Sequence, residues 1–367
     1  MPVPPTLTNI PSLTPAPTTT PEPTASLIPT ATPAIPIRAM RLDYGDYAAS
    51  RADVDSLEIL LRQSGINFVA LGAGRVDWAY FKWPDQPDNW SGDVTSTGID
   101  FLAEDAARFH AWARVDAVVD VYAPRYIELN PQSATVSWLG QPSPYLVNTM
   151  DLVDGEFGQL LLNMIEAISA NYPVDSISLT EMMYYTDGYG DVDKSAYMSY
   201  TGKKDWPRLS NGLINIDDPT IGEWRSREIA KFLSKAHAIT TQYDKQLFVD
   251  AAVTWEAPSN MGAEHGTRYD ILLEKADRVV VWNYFALNGF QPEYSQNLAE
   301  VFLKKTDGRS ILSIGLWGKN DQTVTPAQLE AAILSTQMGG IQDIWITPSL
   351  MMTDAHWQVL KRLWGSP

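Results

Sequence analysis

Cysteine is absent from the 367 residues, which excludes disulfides, thiolate metal sites and a cysteine nucleophile. No run of 18 apolar residues occurs, so no stretch reads as a membrane-spanning helix. No Gly-x-Gly-x-x-Gly turn follows the first predicted strand, and no Gly-x-Ser-x-Gly elbow is present. Those two absences remove the dinucleotide-binding and serine-elbow readings. Histidine is scarce, and His110, His237, His265 and His356 are scattered without ligand spacing. The stretch Asp187 to Asp193 offers oxygen ligands but lacks EF-hand spacing. Neither a metal nor a cofactor is expected. Basic residues are also in deficit, 27 against 44 acids, for a net charge of −17. Such a chain is repelled by nucleic acid and by an anionic membrane surface.

Proline and threonine are abundant in one place. Residues 1–37 hold eleven of the 25 prolines, nine threonines and a single charge, Glu22. This composition predicts an extended, disordered linker, leaving residues 38–367 as the folded domain. Met1 is followed by prolines rather than by a basic and then apolar leader. A Pro/Thr linker is typical of a tether, so the expected location is extracellular or at the cell surface, with the export signal removed or missing from this chain.

From residue 38 onward, short apolar runs alternate with longer amphipathic ones. Strands are predicted at 38–44, 67–71, 116–122, 176–181, 247–254, 278–284, 310–317 and 341–347. Helices are predicted at 56–64, 101–113, 151–171, 221–243, 268–276, 294–304, 326–338 and 354–364. The helix at 221–243 is the clearest, entered through the capping sequence Asp217-Asp218-Pro219-Thr220. Eight strands alternating with eight helices predict an α/β chain closed as a (β/α)8 TIM barrel with enlarged βα loops. Residues 124–145 and 184–219 read as long loops that shape a cleft.

Strand ends of such a barrel converge on one face. Here they finish on Asp43, Glu181, Glu256, Asn283-Tyr284 and Trp317. Acids beside aromatics are what glycoside hydrolysis needs, with one carboxyl as proton donor, a second as base or nucleophile, and rings to stack on sugars. Glu181 is the expected acid, because Met182, Met183 and Tyr184 would desolvate it. By simple alternation, however, it shares a face with Ile177 and Leu179, and reaches the cleft only if the strand ends or bulges there. The second carboxylate is either Asp43, with inward parity beside Arg41, or Glu256. Asp250 lies deeper and reads as structural. Trp78, Trp83, Trp255 and Trp317 are candidate sugar platforms, Asp77, Tyr80 and Tyr184 candidate cleft residues, and Asn283 and Tyr284 candidate positioning groups.

The stretch Tyr172-Pro-Val-Asp175-Ser-Ile-Ser-Leu-Thr180-Glu181 resembles a motif of bacterial glycosyl-hydrolase-like barrels, often described as family 10-like. These are relatives of the domain that cleaves poly-N-acetylglucosamine. Arg75-Val-Asp77-Trp-Ala-Tyr80, Trp224-Arg225-Ser226-Arg227 and Trp282-Asn283-Tyr284 are similar to further motifs in the same order. The family's acidic position falls on Thr180, one residue before Glu181, and its Gly and His positions are Ser176 and Ser178. The resemblance implies a TIM barrel and a secreted or surface-tethered hydrolase of a poly- or oligosaccharide. The departures leave open a non-catalytic carbohydrate-binding or structural barrel with a degenerated site.

Overall fold

The computed structural model describes residues 35–43, 51–83, 99–260 and 266–365. The predicted linker up to residue 34 lies outside the described residues, as do Tyr44, Trp90 and His265. Eight parallel strands form the centre: β1 (Arg38–Leu42), β2 (Phe68–Arg75), β3 (Arg114–Asp120), β4 (Ser176–Thr180), β5 (Gln246–Ala251), β6 (Arg278–Asn283), β7 (Ser310–Gly315) and β8 (Ile344–Thr347). Each pairs with its neighbours in chain order, and β1 pairs with both β2 and β8, which closes the barrel. One helix of each βα unit is labelled in chain order, α1 (Arg51–Gln63), α2 (Phe101–His110), α3 (Glu156–Asn171), α4 (Pro219–Gln242), α5 (Tyr269–Leu272), α6 (Tyr294–Lys305), α7 (Pro326–Met338) and α8 (Asp354–Trp364), and further short helices lie in the loops.

The period of two in each strand produces two separate cores. Residues of one parity, including Ala39, Phe68, Val118, Phe248, Val280 and Trp345, fill the barrel interior. Those of the other parity, such as Met40, Leu71, Val119, Leu179, Val249 and Ile346, pack outward under the helices. Within the interior, Phe68 and Phe248 stack with ring centroids 6.2 Å apart.

Several boundaries differ from the periodicity. Strands β4, β5 and β7 stop at Thr180, Ala251 and Gly315, earlier than expected, because the chain turns away at the barrel mouth. Val253 and Leu316 beyond those ends are still buried, and the N–H of Leu316 donates to the carbonyl of Thr347 at 2.8 Å. The expected helix at 151–171 is two helices, Thr149–Asp154 and α3, separated by Gly155 in an extended conformation. Asp151 then accepts the backbone N–H of Phe157 at 3.3 Å, capping the second helix across the break. The stretch read as a loop at 124–145 holds a short helix, Pro124–Leu129, and most of a hairpin of Ala134–Val136 with Pro142–Val147. The insertion at 184–219 holds the helix Asp191–Thr201, and its Tyr189, Tyr197 and Trp206 form a small core with Ile221 and Trp224 of α4. Helix α4 starts at Pro219, where Asp218 accepts the N–H of Thr220 at 3.0 Å. Among the described residues no helix is long and apolar enough to cross a membrane.

Truncating the interior stack tests this division. Phe248→Ala should cost about 3–5 kcal/mol in urea unfolding through loss of transfer energy and the cavity left behind. Leu350→Ala, at a side chain that is 64% exposed, should stay within about 0.5 kcal/mol of the parent.

Candidate active site

At the carboxyl ends of the strands the inward parity changes from apolar to charged. Arg41 and Asp43 come from the end of β1, Asp120 from β3, Thr180 from β4, Asp250 from β5 and Trp282 from β6. Arg41 Nε donates to Asp43 Oδ1 at 2.8 Å, and its Nη2 lies 3.8 Å from Asp120 Oδ1. Burial opposes the charge on Arg41, but Asp43, Asp120 and Asp250 outweigh it and hold the guanidinium firmly protonated. Asp250 accepts from Trp282 Nε1 at 2.8 Å. Burial pushes it up to about 6, against hydrogen bonds from Thr180 and Trp282.

Glu181 reaches this mouth by a break in alternation. Strand β4 ends at Thr180, and Glu181 takes a φ of 70°, a left-handed conformation uncommon outside glycine. Continued as a strand, its side chain would join Ile177 and Leu179 beneath the helices. The turn instead brings it to a small pocket shared with Met182, Met183, Asp250, Thr267 and Trp282. Burial pushes its carboxyl up to about 7, and Asp120 and Asp250 add to the shift against the Tyr122 hydrogen bond and Arg41. Backbone strain of this kind concentrates at functional sites. A carboxyl that stays partly protonated at neutral pH, beside ionisable neighbours, can donate a proton.

Asp120 is the other half of the arrangement. Burial raises its pKa, Arg41 and Arg75 oppose that, and its side chain remains 34% exposed. It can therefore meet both solvent and a ligand while Arg41 supports its charge. One layer deeper, Asp116 is fully buried and accepts from Ser176 Oγ, leaving its second oxygen without a partner. Desolvation pushes Asp116 up to about 7.

Aromatic rings stand on two sides of the acids. Trp282 and Tyr284 stack at 5.3 Å, and Trp317 meets Tyr284 edge-on at 5.2 Å. Towards β3, Tyr122 bonds Glu181. Tyr145, 54% exposed on the hairpin, packs 5.8 Å from Tyr122.

The remaining residues singled out from the sequence are dispersed. Asp43 joins the cluster through Arg41. Glu256 is exposed, five positions beyond the end of β5, and its charged influence falls on Tyr294. Asp77 is buried, held by Arg75 Nε at 2.5 Å, and accepts the N–H groups of Arg125 and Tyr126 at the start of Pro124–Leu129. Trp83 belongs to the main core, and Trp255 packs on Phe290 at 5.1 Å. Tyr184 is fully buried, donating to the carbonyl of Val147 at 3.2 Å. Asn283 is fully buried and donates to Ser295 Oγ at 2.8 Å. Trp78 and Tyr80 are half-buried after β2. Asp120, Tyr122 and Tyr145 are not singled out from the sequence, and Trp282 enters that reading only as part of the motif Trp282-Asn283-Tyr284. For Asp120 the signal is there: Asp116, Val118 and Asp120 alternate against Val115, Ala117 and Val119. Among the described residues, no cluster of three or more histidines and carboxylates could hold a metal ion.

Fold and mouth together define a closed (β/α)8 barrel with an acidic face. Its structure is similar to the PgaB (BpsB) glycoside hydrolase domain from Bordetella bronchiseptica, at 14% identity, a TM-score of 0.68, and coverage of 90% of this chain and 99% of that one. It is also similar to the catalytic domain of a beta-amylase from Paenibacillus polymyxa, at 8% identity, a TM-score of 0.60 and coverage of 90% and 98%. A chitinase from Chromobacterium violaceum matches at 9% identity, a TM-score of 0.51 and coverage of 89% and 98%. No protein-family model matches the chain, and no curated protein matches it in sequence. At these identities the likeness is one of fold.

The buried acid under the mouth makes stability depend on pH. The folded pKa of Asp116 is raised from 3.8 to about 7, so its contribution is complete below the unfolded value and is lost as pH rises through about 7. Relative to the parent, Asp116→Asn should therefore gain on the order of 3–4 kcal/mol between about pH 4 and pH 8. Urea midpoints across that range check it; a gap independent of pH would show that Asp116 does not titrate there.

Proposed function

We propose that the protein is a glycoside hydrolase that cleaves O-glycosidic bonds of a polysaccharide, with Glu181 as general acid and Asp120 as its carboxylate partner. The observation that supports this most is the left-handed turn at Glu181, which places a desolvated carboxyl among the acids of the mouth. A raised acid beside a more accessible carboxylate is the division of labour that sugar hydrolysis uses. Asp43 supports Asp120 through their shared Arg41. Trp282, Tyr284 and Trp317 on one side, and Tyr122 and Tyr145 on the other, are platforms for pyranose rings flanking the scissile bond. Residues 1–37 serve as a linker, and residues 38–367 act outside the cell or at its surface on a carbohydrate chain.

Reducing-end release from a panel of bacterial and plant polysaccharides tests the reading. Glu181→Gln and Asp120→Asn should each lower the rate at least ~100-fold. Activity that survives Glu181→Gln unchanged would sink the assignment, and binding without release from any glycan would favour a carbohydrate-binding barrel. Because the acid must be protonated, kcat/KM should fall as pH rises through about 7. Tyr145→Ala and Trp317→Ala should raise KM about 2–10-fold with little effect on kcat.

A further inference from the structure

Helix α4 carries a buried arginine that the chemistry above does not use. Arg225 is fully buried. Its Nη1 donates to the carbonyl of Gly266 at 3.2 Å, and its Nη2 to those of Asp187 at 3.0 Å and Gly188 at 3.3 Å. The rings of Tyr189, Tyr184 and Trp224 lie 5.3, 5.7 and 5.8 Å from the guanidinium carbon, within cation–π range. Among the described residues no carboxylate forms an ion pair with it. Asp193 senses its charge but accepts the N–H of Thr149 at 2.9 Å instead. The cation is thus applied to the backbone of two loops, those following β4 and β5.

Both loops wall the Glu181 pocket, one through Met182 and Met183, the other through Ala252 and Thr267. The neighbouring Ser226 fastens the second loop again, accepting the N–H of Arg268 at 2.6 Å. The loops are shaped to admit the guanidinium. Gly188 and Gly266 have φ of 86° and 77°, and a Cβ at either would come within 2.8 and 2.5 Å of an Arg225 nitrogen. Backbone conformation and available space both call for glycine at these two positions.

We propose that Arg225 is a positioning residue for Glu181, clamping the loops after β4 and β5 onto α4 and so fixing the wall that keeps the Glu181 carboxyl from water. Its effect on catalysis rests on the hydrolase reading; its effect on the burial of Glu181 does not. Asp120, Asp250, Arg41, Tyr122 and Tyr284 face Glu181 and are untouched by changes at 225 or 266. A change in Glu181 titration therefore reports the wall.

The test follows the Glu181 carboxyl by NMR in protein labelled with carboxyl-¹³C glutamate, its resonance assigned by loss in Glu181→Gln. Arg225→Ala and Gly266→Ala should each lower the titration midpoint by at least about 1 pH unit as water enters. Gly266→Ala keeps the charge while crowding the guanidinium and the backbone of Tyr184, so agreement of the two variants points to the wall they share rather than to loss of the charge. Low millimolar guanidinium, and not matched sodium chloride, should restore the midpoint in Arg225→Ala. Arg225→Lys should restore it only in part, since lysine lacks the planar fork. If Arg225→Ala does not fold, Gly266→Ala and Arg225→Lys decide. An unmoved midpoint in both, with native near-UV circular dichroism, overturns the proposal. A lowered midpoint with no glycan hydrolysis by the wild type upholds the clamp and sinks the hydrolase reading. Hydrolysis with an unmoved midpoint does the reverse. Where hydrolysis is present, kcat should fall about 10-fold or more with KM nearly constant, and the high-pH limb should move down with the midpoint.

Discussion

β1 pairs with β2 on one side and β8 on the other, and the rest of the molecule depends on that closure. An open sheet would leave Arg41, Asp120, Asp250 and Trp282 on a broad face with water between them. Closed, the same alternation stacks apolar side chains in the interior and crowds the polar ends into one rim. Ion pairs and raised carboxyls follow, because each charge is partly desolvated by strands on the far side of the barrel. The apolar layer of Phe68, Phe248 and Trp345 beneath is what gives the rim its low-dielectric floor.

The rim is not uniform, and the differences between its acids matter more than their number. Asp43 and Asp120 share Arg41. Asp250 is fixed by an indole N–H, while Glu181 has a phenol and, among the described residues, no ion pair. The acids therefore differ in how readily they hold a proton, through burial and partner rather than through residue type. Glu181 and Asp120 differ most usefully, since one is enclosed by methionines and the other is supported by a cation and open to solvent.

The enclosure of Glu181 depends on segments outside the barrel. The helix Asp191–Thr201, the aromatic core around Trp206 and the arginine on α4 lie in or against the insertion after β4. The hairpin after β3 brings Tyr145 to Tyr122. Both insertions are built from short helices, a short hairpin and turns, so they carry little periodic signal, yet they build the walls on either side of the acid.

Sequence alone determined the repeating βα order, the capped start of α4 and the inward parity of Arg41 and Asp43, because these follow from periods of 2 and 3.6 and from local capping. It also marked Glu181, by its place at the end of an apolar run. What tertiary structure decided was which acid meets which. A single left-handed residue sent Glu181 into the mouth against its parity. Asp120 emerged as its neighbour only when β3 and β4 lay side by side. Trp83, Trp255, Tyr184 and Asn283, which look like cleft residues in a linear reading, are buried because aromatic and amide side chains serve packing as well as binding. Burial is set by partners distant in the chain, and local sequence does not encode it.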